Sequence, residues 1–564
     1  MKIALGQINP VVGDISGNVA KIIEFANQAK AEQARLIVFP ELAICGYPPL
    51  DLIFKPSFVR SNREALDYLK SQVSGIAIIV GYVDVKSRSS RKLTNAAAFI
   101  DNNKIIGRQF KTLLPTYDVF DEARYFESAD EYNVFTLDDV RFGISICEDI
   151  WYEREWQQQG YTCNPMARLN ELNPNLIVNI SASPYVVNKE YVRSDLVKAA
   201  SEKFNMPVIY VNQVAGNDEL IFDGRSFVAD CAGKITMVGK PFEEDLKIVE
   251  FLPESKEFTS SFSLNYQLTP QENIYKALVL GLRDFAHKCG FTKATLGLSG
   301  GIDSAVVACL AADALGASNV LGVAMPSIYS SPHSLTDAKE LAKNLNIDFK
   351  VIPIDSMMQE SLSNFKTHAF ELKNQLTLEN IQPRLRGLIL MALANEFNYL
   401  VLNTGNKSEI ACGYCTLYGD MVGGLAVIGD LLKTGVYELA RFINVRQGKK
   451  IIPPNIITKR PSAELRENQF DDEALPPYPI LDKIIGYYVE EHLTVSQIEE
   501  LGYNIKLVTE VINLIDSSEF KRKQSAPTLK LSKRSFGSGR KMPIAYKTRY
   551  LLEELFMQES CKVH

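Results

Sequence analysis

The chain has 564 residues, too many for one hydrophobic core, so two domains or a few are expected. Its 46% hydrophobic and 23% charged content is ordinary for a globular protein in water, and a formal net charge of -6 gives no long-range attraction to nucleic acid or an anionic membrane. Nine cysteines lack the paired spacing of a zinc site or a disulfide framework, and MKIALGQINP holds no apolar segment long enough for export, so a cytoplasmic protein is expected.

Residues 2–7 predict a short strand and residues 18–32 a helix, with Val19, Ile22, Ile23, Phe25 and Ala26 on the apolar period. A buried strand over 36–39 ends at Pro40-Glu41, which sets a carboxylate at the C-terminal end of an internal strand, where a scaffold holds it rigidly. A helix over 61–72 and a strand over 75–84 come next, and residues 95–108 predict a hairpin turning at Asp101, Asn102 and Asn103. Lys111 stands just beyond it, before the proline- and aromatic-rich run LLPTYDVFDEARYF, which reads as a shaped site loop. The strand over 140–146 delivers Cys147 to a strand-to-helix turn, where the sulfur is expected to be exposed and the helix dipole to favour thiolate.

Glu41, Lys111 and Cys147 all fall near the ends of expected central strands, and as a set they supply a general base, a cation for a developing oxyanion and a thiol nucleophile. With their local motifs they resemble the nitrilase superfamily over nearly the whole of residues 1–250. The resemblance implies a four-layer α-β-β-α sandwich that hydrolyses carbon–nitrogen bonds through a thioester. Likeness to the glutaminase domains of that superfamily implies that Tyr117, Ser183 and Lys189 help hold glutamine, with Glu148 and Trp151 shaping the pocket. Two departures stand out: LPTYDVF, where asparagine and glycine more often flank the tyrosine, and Ala215, where glycine is common.

Residues 253–271, rich in Ser, Thr and charge, read as a linker or surface crossover between a first domain, 1–252, and a second, 272–564. An amphipathic helix over 273–289 leads into TLGLSGGIDSAVVACLA, in which a strand over 296–298 enters the loop Ser299, Gly300, Gly301, Ile302, Asp303, Ser304 and leaves as a helix. Glycines admit a phosphate close to the backbone, the helix start exposes N–H groups, and the two serines add donors. The loop lacks both the Lys-Ser/Thr pair of the usual nucleotide-hydrolase loop and the three-glycine dinucleotide fingerprint. Asp303 would repel phosphate unless a cation stood between them, which points to Mg²⁺. This stretch resembles the signature of the ATP pyrophosphatase superfamily, whose members transfer AMP to an acidic oxygen and release pyrophosphate.

Strand and helix then alternate as in a Rossmann-like doubly wound parallel α/β domain: strand 320–325, helix 335–345, strand 349–354. Residues 380–393 put Arg384 and Arg386 before an apolar helix, suited to ATP phosphates or a substrate carboxylate. A strand over 400–402 ends in NTGNKSE, where Thr404 can face adenine or ribose and Glu409 can complete a Mg²⁺ shell with Asp303, and Lys433 beyond it can bind phosphate. SGGIDS, TGNKSE, LYGD and RPSAEL occur in the order found in the NAD⁺ synthetase family, and the two halves in this order resemble its glutamine-dependent branch. That resemblance implies ATP contacts by Leu298 and the loop after it, Met325, Thr404, Lys433 and Ser462. It implies deamido-NAD⁺ contacts by Asn380, Glu409, Asp420 and Lys521, the last in a basic segment expected to be mobile and to close over the dinucleotide. Mg²⁺ falls on Asp303 and Glu409, and a homo-oligomer is expected. Ammonia from glutamine would amidate an adenylated carboxylate, through a passage that keeps it from protonation in bulk water. Another glutamine-fed amidotransferase with a different acceptor, or an ATP-binding scaffold without activity, are the alternatives that pyrophosphate release with varied acceptors separates.

Overall fold

The computed structural model describes residues 1–85, 93–152, 159–259, 267–467 and 469–546. Two compact units divide the chain. One comprises Met1–Lys293, Leu310–Asn319 and Leu529–Lys533; the other comprises Ala294–Cys309, Val320–Thr528 and the described residues from Arg534 onward. The linker expected over 253–271 falls partly on residues outside the described set. The helix after it, Pro270–Lys288, packs in the first unit, where Gly281 and Gly216 let helix and hairpin meet almost backbone to backbone.

Among the described residues, the first unit holds a seven-stranded and a six-stranded sheet. In the larger one Lys2–Gln7, Leu36–Val38 and Ala77–Asp84 run parallel at the centre. Asp245–Leu252 flanks them antiparallel on one side, and the hairpin Thr94–Asp101/Lys104–Phe110 on the other, turning at Asn102 and Asn103 with positive φ. The smaller sheet centres on the parallel strands Val140–Ile146, Leu176–Ser181 and Val208–Asn212. Alternation along each strand decides the layers. Ile3 and Leu5 join Phe99, Phe142, Ile144, Val178 and Val211 in the core between the sheets. Ala4 and Ile78 face outward against Val19, Ile22, Ala26, Leu66 and Leu69 of the helices Ile15–Ala31 and Pro56–Gln72. On the far face Ile177, Val208 and Tyr210 pack on Met166, Leu169 and Val197 of two further helices. The result is the expected α-β-β-α sandwich.

The second unit is built on a five-stranded sheet, in the spatial order Asp348–Val351, Val320–Ala324, Lys293–Gly297, Tyr399–Asn403, Leu425–Ala426. The chain builds outward from Lys293–Gly297 in one direction and then reverses, so the switch point lies between that strand and Tyr399–Asn403. Helix Ile302–Leu315 starts there, and its Ala305, Val306, Val307 and Ala308 are fully buried. A helical cluster of Leu481, Ile484, Val508, Val511 and Ile515 supports Ile410 and Ala411. Arg384 and Arg386 do not precede their helix as expected: Asn374 caps it, and it runs from Gln375 to Phe397 with both arginines and Pro383 inside. Among the described residues no helix is long and apolar enough to cross a membrane.

Candidate functional sites

Two inner strands of the first unit, one from each sheet, present Glu41 and Cys147 at their C-terminal ends. The Lys111 ammonium donates to Glu41 Oε1 at 2.8 Å and to Glu122 Oε1 at 2.8 Å, with Lys111 and Glu41 fully buried. Asn95 Nδ2 and the Ala182 N–H also donate to the Glu41 carboxylate, at 2.6 and 2.9 Å, and fix its plane. Burial opposes the Lys111 charge, but Glu122 and Glu41 outweigh it and hold the ammonium well above its ordinary pKa. Burial pushes Glu122 up to about 7 against the pull of Lys111.

Cys147 sits at φ 46°, a left-handed conformation costly for a non-glycine residue, at a sharp turn out of Val140–Ile146. The turn is pinned by Asp149, whose carboxylate accepts from the Ile146, Thr112 and Leu113 N–H groups and so ties the elbow to the loop after Lys111. Two expectations need correction. The sulfur is buried rather than exposed, and the residues directly after it form the short 3₁₀ turn Cys147–Ile150 rather than the first turn of an α-helix. Burial and then Glu41 push the thiol well above its ordinary pKa, with Lys111 pulling it back. Its proton therefore has to be taken by a neighbouring base.

Around the elbow, Tyr117 and Tyr161 hydroxyls donate to Glu148, each at 3.0 Å. The Lys189 ammonium lies over the rings of Trp151 and Phe120, at 5.6 and 6.0 Å. Ser183 is buried, its N–H donating to Asn212 Oδ1 at 2.9 Å. Asp118, beside Tyr117, adopts φ 51°, which accounts for glycine being common there, and its carboxylate pairs with the buried Lys530 at 3.0 Å. Sequence reasoning missed Glu122, Asn95, Asp149 and Lys530. Glutamate and lysine are usually solvated, and nothing in DEARYF or TLKLS says that these are not.

In the second unit, a cavity of about 650 Å³ opens at the switch point. It is lined by Leu298, Ser299, Gly301, Asp303, Ser304, Met325, Asn380, Thr404, Glu409, Asp420, Lys433, Ser462 and Lys521, while of the expected residues here Gly300 and Arg384 stand outside the lining, Arg384 donating instead to the Leu417 carbonyl. Gly300 has φ 75°, and a Cβ there would lie 2.2 Å from the Ser334 carbonyl oxygen. The serine hydroxyls organise the loop itself, Ser299 accepting from Gly301 N–H and Ser304 donating to the Gly301 carbonyl. G300A is therefore expected to raise the KM for ATP by at least about tenfold through distortion of this turn, with glutamine hydrolysis unchanged; steady-state kinetics of both reactions check it.

Asp303 and Glu409 approach one another across the switch point, both bound to Lys433 Nζ, at 2.6 and 3.0 Å. Burial pushes Glu409 up to about 7 despite Lys433. Among the described residues no cluster of three or more His, Cys, Asp or Glu side chains is set to hold a metal. Mg²⁺ needs only one or two protein carboxylates when phosphate and water complete its octahedron, and two carboxylates converging on a single cation fit it. Elsewhere Thr416 joins Asn380 and Asp420, its hydroxyl donating to Asn380 Oδ1 and its N–H to Asp420 Oδ1, each at 2.7 Å. Ser462 donates to the Gln469 carbonyl at 2.5 Å, and Arg386, which also lines the cavity, to the Met325 carbonyl at 3.0 Å. Lys521 lies in the short helix Glu519–Arg522 and donates to the Gly413 and Cys415 carbonyls, at 2.7 and 2.8 Å. Asn406, the residue sequence reasoning missed here, donates through Nδ2 to Asp303 at 2.9 Å.

The sequence profile of the carbon-nitrogen hydrolases matches residues 2–255, and that of NAD synthase matches residues 274–525. A glutamine-dependent NAD(+) synthetase of Synechocystis sp. is 48% identical over 96% of this chain and 98% of its own, and that of Thermotoga maritima is 41% identical over the same shares. The structure of the glutamine-dependent NAD+ synthetase from Acinetobacter baumannii in complex with ADP superposes with a TM-score of 0.77 at 38% identity, covering 96% of this chain and 98% of that one.

Proposed function

The chain belongs to the glutamine-dependent NAD⁺ synthetases, carbon–nitrogen ligases, and from that membership we propose how its residues divide the work. In the first unit Glu41 takes the Cys147 proton and the thiolate attacks the side-chain amide of glutamine. Lys111 stabilises the tetrahedral oxyanion, ammonia leaves, and Glu41 then directs water onto the thioester to release glutamate. Glu122 shares Lys111 with Glu41 and so holds the ammonium in position. Tyr117, Glu148, Ser183 and Lys189 hold the glutamine, Lys189 through its α-carboxylate.

In the second unit Leu298 and the SGGIDS loop, Met325, Thr404, Lys433 and Ser462 hold ATP, while Asn380, Glu409, Asp420 and Lys521 hold deamido-NAD⁺. Its nicotinate carboxylate attacks the α-phosphorus, pyrophosphate departs, and ammonia displaces AMP to give the amide. Bound at Asp303 and Glu409, Mg²⁺ would neutralise phosphate charge. The reading includes a cytoplasmic location and association with further copies of the chain.

The observation that supports it most is the buried Glu41–Lys111 contact beside Cys147 in one unit, with the carboxylate-bearing phosphate loop in the other. Incubation with glutamine, ATP, Mg²⁺ and deamido-NAD⁺ should yield AMP and NAD⁺ in equal amounts, with glutamate. No AMP with that acceptor, but AMP with another nucleotide carboxylate, would sink the substrate assignment.

The pH profile offers a second check. Burial, then Arg193, lowers Lys189 to about 8. Lysine is charged below its pKa, so glutaminase kcat/KM is expected to fall above about pH 8 as the attraction for the glutamine carboxylate is lost. In K189M that limb should disappear, with KM raised at every pH; a limb unchanged in K189M would remove Lys189 from the pocket.

A further inference from the structure

We infer that the Lys433 ammonium is a built-in counterion of the Asp303–Glu409 pair, which a divalent cation must displace, so that metal binds tightly only with nucleotide. The inference rests on the reading of those two carboxylates as Mg²⁺ ligands.

Lys433 opens the helix Lys433–Arg446, where its N–H donates to the Ser408 hydroxyl at 2.9 Å and roots the side chain. The ammonium reaches Asp303 Oδ2 at 2.6 Å and Glu409 Oε1 at 3.0 Å, the Lys433 side chain being 3% exposed. It also lies 5.3 Å from the centre of the Tyr478 ring, a further favourable contact for a cation. On the other side Asn406 Nδ2 holds Asp303 Oδ1 at 2.9 Å. Asn406 also caps the helix that carries Glu409, its Oδ1 accepting from the Glu409 N–H at 3.1 Å. The Asn406 N–H in turn reaches Glu409 Oε2 at 3.5 Å, so one residue contacts both carboxylates on the side away from Lys433.

Two carboxylates that converge in a partly buried site repel one another unless a cation lies between them. In the protein by itself Lys433 is that cation. A divalent ion taking oxygens of both residues needs the electron pairs that the ammonium now uses, and would be repelled by it at contact distance. The two cations are therefore alternatives at this pair. The lysine stem is flexible and its charge compact, so it can turn towards a different anion. A triphosphate bound on the SGGIDS loop supplies such an anion in the same cavity, which is lined by Lys433, Ser299 and Gly301 together. Phosphate draws the ammonium off the carboxylates and at the same time offers the metal its remaining oxygen ligands.

Mn²⁺ alone is the probe, its binding to the full-length protein followed by electron paramagnetic resonance without nucleotide. K433M and K433Q should each bind Mn²⁺ at least tenfold more tightly than the unaltered protein. Thermal melts should show Mn²⁺ raising the Tm of both variants, whose carboxylates lack a counterion, and leaving that of the unaltered protein nearly unchanged. Adding D303N to K433M should abolish the gain. Equal Mn²⁺ affinity in the unaltered protein and both variants would overturn the inference, as would a gain that survives D303N. Failure of the unaltered protein to bind Mn²⁺ even with a non-hydrolysable ATP analogue would instead overturn the underlying assignment of the metal ligands.

Discussion

C147A is expected to lower glutamine-supported NAD⁺ formation by about 10⁴-fold or more, because no other nucleophile can form the thioester. Synthesis supported by added ammonium should stay within about twofold of the unaltered protein, since SGGIDS and the rest of the ATP cavity belong to the other compact unit. The two activities are measured side by side, as glutamate release and as NAD⁺ with saturating ammonium. Loss of both would mean that Cys147 does not belong to a separate nitrogen-supplying site. Burial of the thiol sharpens the expectation: with its pKa raised, the sulfur depends on Glu41, so E41Q should resemble C147A rather than slow the reaction modestly.

D303N carries the opposite pattern. Removing this carboxylate from the phosphate loop should lower synthesis by about 10²–10³-fold with either nitrogen source, the scale of losing one electrostatic contact to developing charge. Glutamine hydrolysis at Cys147 should persist. E409Q should behave alike, because both residues contact Lys433 and both line the cavity. AMP and pyrophosphate release, measured beside glutamate release, decides the matter. Unchanged AMP release in D303N would leave the aspartate a loop-shaping role only.

The two sites were legible in the sequence to different depths. Glu41 and Cys147 each stand at the end of a short apolar run, and Asp303 in the glycine loop after one, a trace that strand ends leave in a chain of this architecture. The glycine turn of the SGGIDS loop was legible, since Gly300 answers to a local conformation and a close approach. Glu122 was not. Its role depends on burial against Lys111 and Tyr47, 11 and 75 residues away in sequence, and a glutamate in an acidic run carries no mark of burial. The thiol was misread for a related reason. Whether a thiol at such a turn is open to solvent is set by the packing around it, and local sequence does not record that packing.

By itself the sequence determined the strand ends that bear Glu41 and Cys147, the glycine loop, the alternation that makes two layered units, and the family to which their order belongs. These are local properties of a chain, written in period, spacing and backbone freedom. Only the tertiary structure decided that Lys111 is shared between Glu41 and Glu122, that Cys147 is buried with its proton held, and that Lys433 stands against the Asp303 and Glu409 carboxylates. Electrostatics depends on distance and desolvation between groups far apart in sequence, and those are set by packing, which no local pattern records.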